Sequence, residues 1–326
     1  MAQFPNSTGP NSGVWTLEDV YNARIGGNWP TAYVGSAAQA IFMGGLVPTA
    51  INTIQYITFA AEGTTQDFGD LISAVYGGAA CSSTTRGVYA GGNAGGLTNV
   101  IQFFNYASKQ NTTDFGDLTV ARRALAGASN ATRGVFAGGY DPAYFNIIDY
   151  ITIASAGNAL DFGDLTQARL GLFGLASPSR SVFAGGATPA AQNTIDYVTI
   201  ASTGNALDFG DLTVATNAGG VSAGSSSTRG IFGGGATPTK VNTIQYITIA
   251  STGNATDFGD LTEGLLSLSQ TSNSVTSFFA GGTGSSYSTT LQKITIASTG
   301  NATSFGNLLT ATSYMQGASN ANGGLT

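Results

Sequence analysis

Histidine is missing from this chain of 326 residues. Its absence removes the commonest general base and the commonest metal ligand, and with them Ser–His–Asp chemistry and most zinc sites. Cysteine occurs once, as Cys81, so no internal disulfide can form and the residue reads as a small apolar filler. Charge is scarce: Asp, Glu, Lys and Arg make up 9% of residues, against about 25% in ordinary soluble domains. The eleven Lys and Arg are scattered and the formal net charge is −6. Both argue against a nucleic-acid partner, because neutralising phosphates takes clustered cations. No run of about 18 apolar residues occurs, so no membrane span is expected. The start, Met1 to Asn6, lacks the basic and apolar stretches of a secretory signal, and synthesis in a cytoplasm is expected.

What is abundant points to strands and tight turns. Glycine accounts for 47 residues, about twice ordinary usage, and Thr, Ile, Tyr and Phe outweigh the helix formers Glu, Lys and Arg. An internal repeat then decides the architecture. The phenylalanine of an Asp-Phe-Gly-Asp-Leu motif falls at Phe68, Phe115, Phe162, Phe209 and Phe258, with a degenerate copy at Phe305; the steps are 47, 47, 47, 49 and 47 residues. The second glycine of a Gly-Gly pair, at Gly45, Gly92, Gly139, Gly186, Gly235 and Gly282, keeps the same steps. Two landmarks that share one irregular step exclude chance. The extra two residues are most simply placed in Ser225-Ser226-Ser227.

One repeat resolves into short elements. Arg133 to Ala137 is a β-branched and aromatic run that stops at Gly138-Gly139. Asn146 to Ile151 alternates, with Ile148 and Tyr150 on one sheet face and Asp149 on the other. Ser155 to Asn158 is a turn. Asp161 to Leu165 reads as an outer strand, and a short strand around Leu170 to Leu175 completes four. Such a unit every 47 residues is the blade of a β-propeller, in which blades stack face to face and the ring closes. Phe162 is expected between adjacent blades, and the glycine pairs where backbones converge near the axis. The chain is therefore expected to be all-β and six-bladed, with seven blades as the alternative.

An apolar strand ending in Gly-Gly, a strand carrying Tyr, an aromatic-x-x-Leu segment and an Arg at 122 or 169 is similar to the kelch repeat, over about residues 31 to 310. Phe162 and its equivalents stand where kelch proteins carry Trp, and repeats one, four and five lack the arginine. At the C-terminus, Ser313 to Ser319 matches the first strand of a blade, either as a closing strand for blade six or as a fragment of a seventh.

The N-terminus stands outside the repeat. Residues 1 to 13 read as a polar arm. Thr16 to Arg24 fits one helix capped by Thr16 and stopped by Gly26-Gly27. Residues 1 to 30 are expected to attach the propeller, residues 31 to 326, to a partner through Trp15, Leu17, Val20, Tyr21 and Arg24. The stretch from Gly13 to Pro30 resembles a segment of tailed-phage virion proteins. The unit from Asn193 to Leu212 is similar to repeats in structural proteins of marine and cyanobacterial phages. The resemblance implies a virion component on the tail or its fibres, an adhesion or spacer module for host adsorption. Its partners would be other virion proteins, sister copies and a host-surface glycan.

Chemistry is expected to be absent: no enzyme, no cofactor, no metal. Asp-Phe-Gly also occurs in protein kinases, but here it repeats without a glycine loop or catalytic loop. Paired aspartates such as Asp67 and Asp70 offer oxygen ligands to calcium, yet read better as solvated; Arg86, Arg133, Arg180 and Arg229 recur in phase and could pair with them between blades. The sequons at Asn111, Asn130, Asn254 and Asn301 read as turn chemistry. The alternative to a virion role is a lectin-like or glycan-degrading propeller. The best candidate for a unique contact loop is Tyr140-Asp141-Pro142-Ala143-Tyr144, with Tyr140, Asp141 and Tyr144 presenting side chains.

Overall fold

The computed structural model describes residues 38–219 and 221–321; the arm and helix expected over residues 1 to 30, including Trp15, Leu17, Val20, Tyr21 and Arg24, lie outside them. The described residues form six four-stranded antiparallel blades of a β-propeller, with no helix among them. Blade 3 shows the pattern. Its inner strand Ala126–Ser129 pairs with Arg133–Ala137, which pairs with Ile147–Thr152, which pairs with the outer strand Leu160–Asp164. The strand expected around Leu170 to Leu175 does not complete this blade. It is Phe173–Ala176, the inner strand of blade 4. From the outer edge the chain returns to the axis, where each blade needs an inner strand to pair with its second.

Closure follows from that phase shift. Gln316–Ser319 is the inner strand of blade 1, not of blade 6, and pairs with Gln39–Met43 from the other end of the described chain. The strands of the described residues are therefore shared out among six blades, and no seventh is begun among them. The two extra residues of the irregular step also sit elsewhere than expected. The turn from Ser226 to Arg229 has the same length as that from Ser177 to Arg180 and is tied by the same serine-to-backbone bonds. The insertion lies instead in residues 218–222, where Val221–Ser222 adds a short parallel pairing to Phe173–Gly174.

Stability resides between blades. Each of six hydrophobic clusters spans one blade–blade junction. Phe162, buried as expected, meets Val135 and Ile148 of its own blade and Leu172, Phe183 and Val198 of the next. The Asp-Phe-Gly-Asp motif puts it there through a β-bulge: Asp161 opposes Asp149 and Gly163 opposes Ile148, leaving Phe162 unopposed. Gly163 has φ +144°, and a Cβ there would lie 2.5 Å from the Gly204 carbonyl of the next blade. That neighbouring turn is tied down by Asn205, whose Oδ1 accepts the Asp164 N–H at 3.1 Å. Asn111, Asn254 and Asn301 do the same for the preceding blade, while Asn130 holds its own turn. The sequon asparagines are thus fixtures of turns and junctions.

The arginines divide into two sets. Arg86, Arg133, Arg180 and Arg229 do not pair with aspartates: each donates to an isoleucine carbonyl of the next blade and lies over an aromatic ring, as Arg133 does on Ile200 and Tyr150. The motif aspartates remain at least partly exposed. Arg122 and Arg169, by contrast, are fully buried against Asp149 and Asp196 at 2.9 and 2.6 Å.

Candidate binding face

The six inner strands line the axis so closely that little room remains. A Cβ on Gly174 would lie 2.4 Å from the Gly127 carbonyl, and one on Gly317 only 2.3 Å from that of Gln270. The axial cavity, lined by residues such as Cys81, Ser129 and Thr271, measures about 40 Å³, little more than the share of one water in the liquid. It is small beside ligand pockets, which run to about 300 Å³ and above. The Gly-Gly pairs are not at this axis. They end the second strand, where Gly138 and Gly139 have φ of +66° and +117° and where a Cβ on Gly138 would lie 2.6 Å from the Arg169 carbonyl. They are needed because the connector to the next blade folds directly over them.

Those connectors build one face of the disc. Each makes a single β-bridge to the hairpin that joins the second and third strands of a blade. The bridging residues, in ring order, are Ser313, Tyr76, Arg123, Leu170, Asn217 and Leu266. One residue further on, backbone amides link connector to connector around the mouth: Gly77 N–H to Tyr314 O at 3.2 Å, Ala124 to Gly77 at 2.6 Å, Gly171 to Ala124 at 2.8 Å. Ala124, Ser267 and Tyr314 hold positive φ to do so, a conformation that costs a non-glycine residue about 1 kcal/mol.

The expected contact loop is one of these hairpins. Tyr140–Asp141 pairs with Ala143–Tyr144, and comparable two-residue hairpins stand at Leu46–Val47 with Thr49–Ala50 and at Ala236–Thr237 with Thr239–Lys240. Its backbone is therefore repetitive; only its side chains are special. Tyr140 and Tyr144 meet edge to face at 5.5 Å, and the Arg123 guanidinium lies 5.9 Å from the Tyr140 ring. Pro142 is exposed, and both tyrosines and Asp141 are half-buried. Next to them in the ring, Tyr76 and Tyr314 meet edge to face at 5.9 Å. Sequence reading missed Tyr76, Tyr314 and Arg123. The available signal was that two adjacent repeats put Tyr76 and Arg123 where the others put Leu, Asn or Ser, and that, one position on, Tyr314 stands where the others put Gly, Ala or Ser.

The opposite face carries the turns between inner and second strands and between third and outer strands. Two cavities of about 160 and 120 Å³ open beneath third-to-outer turns of blades 1 and 4, beside Tyr56 and Tyr197. They occupy equivalent positions and so reflect the repeat. Both ends of the described propeller meet on this face, where the Gln39 N–H donates to Asn320 Oδ1 at 2.7 Å. Among the described residues no group of three or more His, Cys, Asp or Glu is placed to hold a metal, and no helix is long and apolar enough to cross a membrane. The chain matches no protein-family model and no curated protein.

Proposed function

We propose that this chain is a structural and interaction component of a tailed-phage particle, located on the tail or its fibres, and that it works by adhesion or spacing rather than by catalysis. The observation that carries the binding role is the contrast between a narrow axis of about 40 Å³ and a mouth ringed by six presented hairpins. A molecule with this form meets partners through its face. The virion assignment is supported by the phage-like stretch from Gly13 to Pro30 and by the phage-like repeat unit. Kinship with kelch repeats belongs to the same proposal, supported by the phase of the Gly-Gly pair, the aromatic and the arginine.

In this reading residues 1 to 30 attach the propeller to another virion protein or to sister copies, and the propeller serves as a spacer or adhesion surface. Mass spectrometry of purified particles of the encoding phage, with cryo-electron microscopy to locate the disc, tests the assignment. Finding the chain only in infected-cell lysate and never in particles overturns it. Deleting residues 1 to 30 tests the attachment: the truncated chain should fold yet be missing from particles, and incorporation at normal copy number would move attachment to the propeller itself.

A second reading, a glycan-binding propeller, is favoured by the tyrosines and Arg123 at the mouth. Glycan cleavage would need two carboxylates about 5–10 Å apart, and the blade 3 hairpin supplies one, Asp141.

A further inference from the structure

The cations of this molecule are almost all accounted for. Among the described residues, Arg86, Arg133, Arg180 and Arg229 donate to isoleucine carbonyls, and Arg122 and Arg169 to aspartates. Lys109 donates to the Tyr56 hydroxyl, Lys240 to the Gly284 carbonyl and Lys293 to Glu62. Arg123 is the exception. Within the described residues its guanidinium makes no hydrogen bond and no ion pair, and lies 5.9 Å from the centre of the Tyr140 ring.

Its place in the ring is equally unusual. Amide links running from Tyr314 to Gly77 and from Gly77 to Ala124 put Tyr314, Tyr76 and Arg123 on consecutive connectors, with Tyr140 bridged to Arg123 and Tyr144 across the hairpin. None of the hydroxyls of Tyr76, Tyr140, Tyr144 and Tyr314 is engaged within the described residues. The three remaining connectors carry Leu170, Asn217 and Leu266. Among the connectors, one half of the ring is thus aromatic and cationic and the other half is not; the hairpins of blades 5 and 6 add to that other half only Lys240, which is tied to the Gly284 carbonyl, and Tyr287.

We infer that this patch binds an acidic saccharide, a sugar chain bearing carboxylates of the uronic or sialic acid kind, and this deepens, and rests on, the reading of the hairpin face as an adhesion surface. Tyrosine rings set edge to face offer flat apolar plates, each with a polar tip, and suit a pyranose ring that is apolar on its C–H face and hydroxylated at its edge. The unpartnered guanidinium presents a planar fork of donors that matches a carboxylate. A polyanion with closely spaced charges fits less well, because the chain carries a net charge of −6 and one free cation here.

The test uses the full recombinant chain on an array of immobilised glycans, followed by titration with an oligogalacturonate, a neutral galactan of equal length and a glutamate-rich peptide. Acidic glycans should be retained over neutral ones, and raising salt should weaken them. Arg123→Gln should weaken oligogalacturonate binding by about tenfold or more, the worth of one charge-assisted hydrogen bond, and leave the galactan unchanged. Tyr76→Ala, which keeps the guanidinium, should weaken both sugars. An unchanged thermal midpoint in each variant excludes misfolding. Equal retention of acidic and neutral glycans overturns the inference, as does tighter binding of the peptide or indifference to Arg123→Gln with an intact fold. Particle composition is measured separately, so a chain found in particles that binds no acidic glycan refutes this site and leaves the virion role standing.

Discussion

The buried ion pairs obey a substitution rule that runs through all six repeats. Where the connector carries Arg122 or Arg169, the next blade carries Asp149 or Asp196. Where it carries Val75, Thr216, Leu265 or Thr312, the facing residue is Gln102, Gln245, Gln292 or Gln55. In both cases a side-chain oxygen accepts the amide that follows the Asp-Phe-Gly-Asp-Leu motif: Thr119 N–H to Asp149, Thr262 N–H to Gln292 at 2.8 Å. The oxygen is required everywhere, and its negative charge is tolerated only where a guanidinium neutralises it. Burial lowers the Arg122 pKa, while Asp149 opposes the shift. Arg122→Leu should therefore cost about 3–5 kcal/mol by stranding the carboxylate, whereas the double change Arg122→Leu with Asp149→Gln should come close to neutral. Urea unfolding of the four proteins of that cycle decides it; a double variant as weak as the single one would show that Arg122 matters through its own carbonyl bonds. Burial also raises the pKa values of Cys81, Tyr89 and Tyr106. Unfolded, these groups lose protons from about pH 8.5 and 10 respectively, while the folded chain keeps them. The folded state then binds more protons, so stability is whole below about pH 8.5 and falls as pH rises. The urea midpoint should drop between pH 8 and 10.5, and Cys81→Ala should flatten the first part of that fall.

Blades are held to one another by elements that act as repeated fasteners. Besides the bulged phenylalanine, each inner strand ends in a small residue, and in most blades this is a serine. Ser129 Oγ donates to the Ser82 carbonyl at 2.9 Å and accepts the Ser82 N–H at 3.0 Å; Ser272 does the same with Ser225. Blade 4 has Ala176 at this position, so one junction lacks the hydroxyl. Ala176→Ser should restore it and stabilise by about 0.5–1.5 kcal/mol, the net worth of a buried hydrogen bond. A lower unfolding midpoint would mean that the strand stands too close to its neighbour for an added oxygen. Phe162→Ala should instead destabilise by about 3–5 kcal/mol, as for large buried aromatics. A change below 1 kcal/mol in reversible denaturation would contradict its position between blades 3 and 4.

At the scale of the whole molecule, one hydrogen-bonded strand pair joins the two ends of the described chain. Gln316–Ser319 registers Ser319 on Ala40 and Gln316 on Met43, and it brings the fully buried Met315 into the junction between blades 6 and 1. Ending the chain after Tyr314 would expose the second strand of blade 1 as a free edge and empty that junction. A loss of more than about 4 kcal/mol is expected, since a buried methionine alone is worth about 2–5 kcal/mol. Restoration by a synthetic peptide of residues 315 to 326 would confirm that closure is the cause. An unchanged unfolding midpoint in the truncated chain would show that the ring holds without it.

Much of this was legible in the sequence, and the reason is repetition. Six copies of one landmark pair pointed to six blades and marked the second, third and outer strands, which depend on neighbours within a single repeat; the burial of Phe162 against the next blade could be expected because every blade repeats the same aromatic. The contact loop could be singled out as irregular for the same reason. What depends on the path of the chain from one blade to the next was not legible. Whether Phe173–Ala176 ends one blade or begins the next, which blade Gln316–Ser319 closes, and where the two inserted residues go are all decided by how the chain returns to the axis. So too with charge. The phased arginines are common to four repeats, yet reach carbonyls; the aspartate partners belong to Arg122 and Arg169, 27 residues upstream. Only the closed ring brings Tyr314, near the end of the chain, beside Tyr76 and sets both next to Arg123, because circular closure makes neighbours of connectors that the sequence holds far apart.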